Sequence, residues 1–183
     1  MTDPRVEHQT RRNELVDVAL TVLERDGFAS LSVGAVARQA GIKPPSLYKQ
    51  FTSKADIEAA LITLGFARLA DEYIGPAASA AEGSRLDHIT ALVSAYRAFG
   101  LANPQLYLLM HSKPFTGTDS ERIDRAAVSR LRAFVAGPVG AMSAWAYAHG
   151  VLSLELVGAF PPELLDDIWA RVSQTIAEFA PDE

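Results

Sequence analysis

The four histidines, His8, His88, His111 and His149, are the first side chains to test for chemistry, and their spacing offers none. None sits in a His-Glu-x-x-His zinc pattern or beside a Gly-x-Ser-x-Gly nucleophile elbow. Cysteine is absent, which removes disulfides, thiolate metal sites and a cysteine nucleophile. No glycine-rich phosphate loop occurs, and no spacing of Ser, His and Asp nominates a triad. No catalytic residue, metal or cofactor is therefore expected, and the chain is not expected to be an enzyme. The informative spacing is Ala37–Gly41–Leu47. Two helices that meet at a sharp angle need a small residue where they touch, here Ala37, and a residue tolerant of positive φ in the turn, here Gly41. Ile42 and Leu47 would plug the core the two helices share. The pattern fits a helix-turn-helix, and equally a purely structural αα-corner.

Elements that could position this motif are legible on both sides of it. Leu15, Val18, Ala19, Val22 and Leu23 recur on one helical face, predicting a helix from about Thr10 to Asp26. Gly27 supplies a left-handed stop, with Phe28 placed to touch Leu23 across a Schellman-type end. Ser32 is the expected N-cap of a second helix running through Ala40, with Val33, Val36, Ala37 and Ala40 inward. A short third helix covers roughly Pro45 to Phe51. Because a residue before proline avoids the helical region, Pro44 is expected outside it and Pro45 as its first residue. Ser53 and Asp56 form a capping-box-like pair opening a fourth helix, about Lys54 to Tyr73. The segment Ile74–Ser84, rich in Ala, Gly and Ser and holding Pro76, reads as a linker. Further helices are predicted near Arg85–Ala102, Asn103–His111, Ser120–Ala136, Val139–Phe160 and Pro162–Ala180. No strand pattern or internal repeat is visible, so the fold class is all-α.

Composition sets the class. Apolar residues make up 49% and charged residues 21%, the balance of a globular chain with a sizeable core. The net charge of −5 divides unevenly: residues 1–56 hold eight Lys/Arg and seven Asp/Glu, or +1, and the rest hold nine and fifteen, or −6. Any affinity of the N-terminal part for a polyanion must come from where its cations sit rather than how many there are. Asp3 and Glu7, with no apolar run behind them, predict no secretory leader, and a cytoplasmic location is expected. The uncharged stretch Ala133–Leu154 is interrupted by Gly137, Pro138, Gly140 and His149, so an interface helix is expected there and not a membrane span.

The stretch GFASLSVGAVARQAGIKPPSLYKQFTSKADIEAALI, Gly27 to Ile62, closely resembles the DNA-binding domain of the TetR family of transcriptional regulators. The residues that carry the likeness are Ala37, Ala40, Gly41, Ile42, Leu47, Tyr48, Phe51, Ser53, Lys54 and Ile57. The resemblance implies a double-stranded DNA operator as partner. It implies that Tyr48 and Lys54 hold phosphates, with Ser32 and Lys43 as further phosphate contacts. Pro45, Ser46 and Lys49 then lie where the recognition helix meets base edges in the major groove. The bland alternatives are solvated charge for Lys43 and Lys49 and a core aromatic for Tyr48. Lys43 stands where many relatives have a serine or threonine cap, and Pro44–Pro45 remove two backbone donors, which leaves base readout there to apolar contact or to Ser46. Arg5, Arg11 and Arg12 are either an arm entering the minor groove or a solvated tail.

The C-terminal part resembles a TetR subtype named for a Trp-His-Gly signature, through NPQLYLLM (Asn103 to Met110) and WAYAHGVLSLELVGAF (Trp145 to Phe160). The stripe Trp145, His149, Leu152, Leu156 and the stripe Leu164, Leu165, Ile168, Trp169, Val172, Ile176 are expected to pair with their symmetry mates in a homodimer built on the last two helices. The small residues Ala141, Ala144, Ala148 and Gly150 would permit close approach. The family also implies a cavity for a small amphipathic effector, with Tyr96, Phe99, Tyr107, Met110, His111, Trp145 and His149 as candidates. The same side chains read equally as core, and His149 as a hydrogen-bonded structural histidine.

The organisation expected is thus a helix-turn-helix head over 1–53, a connecting helix over 54–73, and a ligand-binding and dimerisation body over 74–183. The implied function is repression relieved when the effector moves the two heads out of register with successive major grooves. An activator, or a helical adaptor that has lost DNA binding, are the alternatives.

Overall fold

The computed structural model describes residues 4–112, 130, 132–135 and 137–179, with side chains from residue 6 onward. The helix expected over Ser120–Ala136 lies almost wholly outside the described residues. All regular structure among the described residues is helical. The chain divides into two compact units, Met1–Gly65 with Gln105–Lys113, and Phe66–Pro104 with Pro114–Glu183.

The first unit is the head. Helix α1, Pro4–Asp26, begins earlier than its apolar face, so Arg11 and Arg12 lie within it and do not form an arm ahead of it. Arg11 is paired with Glu14 one turn on, at 2.8 Å. Leu15, Ala19, Val22 and Leu23 are buried as the 3.6-residue period requires. Gly27, at φ 76, ends α1 with a single N–H bond of 2.9 Å to the Leu23 carbonyl. That is the simpler left-handed stop and not the Schellman pair expected. Phe28, the next residue, is exposed.

Helix α2 is Val33–Gln39 and α3 is Pro44–Tyr48. Helix α4, Lys54–Arg68, runs from the first unit into the second. The head core gathers Leu31, Val36, Ala37, Leu47, Phe51, Ile57 and Leu61. Each large apolar side chain so buried contributes roughly 1.5–3 kcal/mol. A later helix, α7, Pro104–Met110, belongs to this unit through Leu106, Tyr107, Leu109 and Met110. Gly65 on α4 admits it: a Cβ there would stand 2.4 Å from Met110 Sδ.

The second unit is the body. Where a linker was expected, the chain stays helical through a π-helical stretch, Leu69–Ile74, and α5, Gly75–Ala80. Pro76 explains the widened turn. Its ring would collide with the Glu72 carbonyl in an α-helix, and a bond from the Gly75 N–H to the Ala70 carbonyl, five residues back, gives the ring room. Ser84 and Asp87 form a full capping box on α6, Arg85–Ala102. Helix α8, Gly137–Leu156, stops short of Phe160. Gly158, at φ 70, closes it with bonds of 2.9 Å from Gly158 N–H to Glu155 and from Ala159 N–H to Leu154, a Schellman end. Helix α9, Leu165–Glu178, follows a 3-10 turn and packs chiefly on α6.

The two stripes expected to meet a partner are only partly turned inward: Leu152, Trp169, Val172 and Ile176 are buried, Trp145, His149, Leu156, Leu165 and Ile168 are half-buried, and Leu164 is exposed. Leu152 is fully buried, with its Cδ2 2.5 Å from where a Cβ on Gly100 would stand, so α6 and α8 approach at a residue without a side chain. Ala141, Ala144 and Ala148 are buried on that same side of α8, and Trp169, Val172 and Ile176 are buried on α9. Beyond its buried face α8 shows a second apolar stripe. Val139, Met142, Ala146, Leu154 and Val157 are exposed along one line of the helix and just past its end, Val139 to 79% and Val157 to 70%. An α-helix apolar on two faces gives no periodic hint of which one stays inside.

Candidate nucleic-acid interface

The turn between α2 and α3 is set by local chemistry. Ser32 is extended and its Oγ accepts the Ala35 N–H at 3.1 Å, capping α2 as its residue type predicts. Gly41, at φ 66, closes α2 with bonds from its own N–H to Arg38 at 3.2 Å and from Ile42 N–H to Ala37 at 3.0 Å. This is the Schellman geometry, which a residue with a Cβ enters only under strain. Lys43 follows in extended conformation, φ −75 and ψ 143, as the residue before a proline should. Pro44, expected outside, is the first residue of α3. The first turn of a helix asks for no N–H donor and proline's fixed φ is already helical, so both prolines fit there.

Helix α3 presents nearly everything it has. Pro45, Ser46, Tyr48 and Lys49 are exposed, with Tyr48 at 54%, while Leu47 alone is fully buried and anchors the helix. Tyr48 is therefore not a core aromatic. Lys43 is exposed beside them, and Ile42 is only half-buried against the expectation of a plug. Helix α3 ends at Tyr48, three residues earlier than expected, because the N–H groups of Gln50 and Phe51 both turn back to the Leu47 carbonyl, at 2.8 and 3.0 Å.

Lys54, the first residue of α4, is held in place. Its Nζ donates to the Phe28 carbonyl at 3.2 Å, stands 4.3 Å above the Phe28 ring and lies 3.9 Å from Glu58 Oε1. Phe28, expected to cover Leu23, is instead the platform for this cation. Ser53 Oγ accepts the Asp56 N–H at 3.2 Å, but the Asp56 carboxylate serves the Thr52 N–H at 3.0 Å and not Ser53, so the expected box is half made. The Thr52 N–H, and then the Arg12 guanidinium, hold the Asp56 carboxyl below its ordinary range. Arg12, expected in a minor-groove arm or a solvated tail, is instead a link within the head. From α1 it reaches both Gln50 and Asp56.

Comparison with known proteins settles what this arrangement belongs to. Residues 15–61 match the profile described as bacterial regulatory proteins, tetR family, and residues 89–177 match that described as Tetracyclin repressor-like, C-terminal domain. An uncharacterized HTH-type transcriptional regulator of Mycobacterium tuberculosis is 30% identical over 168 residues, covering 86% of this chain and 73% of that one. The chain belongs to the TetR family. Among solved structures, a protein of unknown function from Rhodococcus sp. RHA1 is similar with a TM-score of 0.77 and 26% identity, over 93% of this chain and 95% of that one. A TetR variant from Acinetobacter baumannii AYE, solved in complex with minocycline, shares the fold at a TM-score of 0.62 and 18% identity, over 91% and 92% of the two chains.

This TetR-family protein is a DNA-binding transcriptional regulator, not an enzyme. No group of three or more metal-ligating side chains occurs among its described residues, and no described helix is long and apolar enough to cross a membrane. Its candidate effector residues separate into two groups. Tyr96 and Trp145 line one apolar cavity of about 20 Å³ in the body, with Ile74, Leu92, Val93, Ala148 and Ile176. His149 is half-buried one turn from Trp145, its ring stacked at 5.4 Å, and burial lowers its pKa below the ordinary 6.5. Phe99 is fully buried edge-on to Tyr73, at 5.3 Å. Tyr107, Met110 and His111 lie in the head unit on and just after α7, where the His111 Nδ1 bonds the Tyr107 carbonyl at 2.7 Å.

Proposed function

We propose that this regulator is a homodimeric repressor that grips a near-palindromic operator through α3 and is released by a small amphipathic effector bound in the body. The exposure of Pro45, Ser46, Tyr48 and Lys49 around a single buried anchor, Leu47, is the observation that carries the reading. A short rod with a polar outer surface is what a major groove accepts. In this reading Pro45, Ser46 and Lys49 meet base edges, and Tyr48, Lys54, Ser32 and Lys43 meet phosphates, all in the cytoplasm where the operator lies.

Two such heads need a dimer, and the apolar stripe Val139, Met142, Ala146, Leu154 and Val157 on α8 is the surface that supports one. Leu164 and Ile168 on the approach to α9 and within it extend that surface, beside the polar Asp167, Arg171 and Gln174. The cavity beside Trp145, with space for about one water, is too small for an effector as it stands. In this reading the effector favours a body conformation in which that cavity is wider, and the released state is that conformation. The fold neighbour solved with minocycline supports a small molecule as effector.

Selecting bound duplexes from a randomised pool tests the proposal. The expected result is a site of two inverted halves whose affinity falls steeply with salt. In a cell-free transcription assay, that site placed over a promoter should give repression. Enrichment of no sequence overturns the operator reading, and stimulation of transcription assigns the activator role instead.

A further inference from the structure

Arg12 makes three contacts with the short run of chain in which α3 ends and α4 begins. Its Nη1 donates to the Gln50 carbonyl and its Nη2 to Asp56 Oδ1 at 2.7 Å, and its guanidinium carbon stands 4.2 Å from the centroid of the buried Phe51 ring. The other Asp56 oxygen takes the Thr52 N–H, so residues 50, 51, 52 and 56 are all tied, directly or through one carboxylate, to a single side chain of α1. Arg12 is about three-quarters covered, with a side-chain exposure of 26%, and Asp56 is similar at 28%.

Helix α3 needs such an anchor. Five residues form barely one turn, and a helix of that length does not hold itself. Its leading end is fixed by the Gly41 turn and its middle by Leu47. Its trailing end is held by the Arg12 contacts, by the bonds of Gln50 and Phe51 to Leu47 and by the buried Phe51 ring. The Gln50 Oε1 is buried without a hydrogen-bond partner, an unfavourable local arrangement that neighbouring contacts must enforce.

We propose that Arg12 is a positioning residue for sequence readout. It fixes the angle at which α3 stands on the head, and so which base edges Ser46 and Lys49 reach, without itself touching DNA. The proposal rests on reading α3 as the base-reading helix. Base contacts tolerate displacements of only about half an ångström, whereas phosphate contacts adapt. Loosening α3 should therefore reduce discrimination between sequences more than it reduces adhesion to DNA in general.

The test compares wild-type protein with Arg12→Met, which keeps an apolar stem over Phe51, and Arg12→Lys, which keeps charge but loses the fork. Affinity is measured across a salt series for a duplex the wild-type protein selects from a randomised pool, and for the same duplex scrambled. The ratio of the two affinities should fall about tenfold in Arg12→Met, the equivalent of one lost base contact, with little rescue by Arg12→Lys and no change in salt slope. Asp56→Asn should reproduce the loss, and the double variant should be no worse than the worse single one, because the two groups act as a unit. Should Arg12→Met fail to fold, the Arg12→Lys and Asp56→Asn pair carries the same comparison. A slope lowered by about one on both duplexes would make Arg12 a phosphate contact and overturn the proposal. So would an unchanged ratio. If the wild-type protein selects no sequence at all, the reading of α3 falls and this proposal with it; retained selectivity in the variants removes only the role of Arg12.

Discussion

Lys54 meets a carbonyl, an aromatic ring and a carboxylate within the head, so its ammonium is already in place before any phosphate arrives. A lysine normally surrenders rotamer freedom to hold a phosphate, up to roughly 2 kcal/mol, and here part of that ordering is done in the folded head. Lys54→Ala should weaken binding to every duplex and lower the slope of log affinity against log salt by about one unit. Phe28→Ala should weaken binding less and leave the slope unchanged, because the charge remains while its platform is gone. Fluorescence titrations of both variants over a salt series decide the matter, and an unchanged slope for Lys54→Ala would remove it from the contacts. Ser32 stands differently: its Oγ is already an acceptor within α2, so only its hydroxyl hydrogen is available to a phosphate oxygen.

Short elements in this protein are held from outside themselves. Helix α7 has seven residues and begins at a proline, and the side chain of the preceding Asn103 is turned back to the Phe99 carbonyl at 3.0 Å. Its cap comes from Glu24 on α1, which accepts the N–H groups of Gln105 at 3.2 Å and Leu106 at 2.8 Å. A carboxylate on two orphan donors at the positive end of a helix is favourable on both counts. Glu24→Ala should destabilise the head by about 1–2 kcal/mol in denaturant unfolding, and Glu24→Gln, which keeps one acceptor, by less. Equal midpoints for wild type and Glu24→Ala would show the cap to be inconsequential. The contrast with Ser32, Gly27 and Gly41 explains what could be read in advance. Those residues act on atoms three to five positions away, so residue type alone announces the stop or the cap. Glu24 and Arg12 act across separations of 81 and 44 residues, and nothing local marks them. Pro76 misled for another reason: a proline ends an α-helix, but a π turn absorbs it and the helix goes on.

At the scale of the whole molecule the decisive surface is the outward stripe of α8. Sequence periodicity nominated Trp145, His149, Leu152 and Leu156; of these Leu152 is fully buried and the others half-buried, and with no Cβ on α6 at Gly100 it is Leu152 that packs there. Val139, Met142, Leu154 and Val157 are left on the opposite side, more exposed apolar surface than a lone helix normally shows to water. Substituting Met142→Glu with Val157→Lys should yield a folded protein that sediments at half the wild-type mass, since both side chains are exposed. Its affinity for a two-half-site operator should fall by about 10²–10⁴, the gain that linking two heads provides, while binding to an isolated half-site stays near wild type. Leu152→Ala should do the reverse. It should cost about 2–5 kcal/mol of stability by opening a cavity against Gly100 and leave the sedimenting mass unchanged in the folded fraction. If Leu152→Ala dissociates the protein while the double variant does not, the inner stripe is the partner surface after all. The two measurements therefore separate a face that builds the body from a face that joins two bodies, and only the second can set the distance between recognition helices along a duplex.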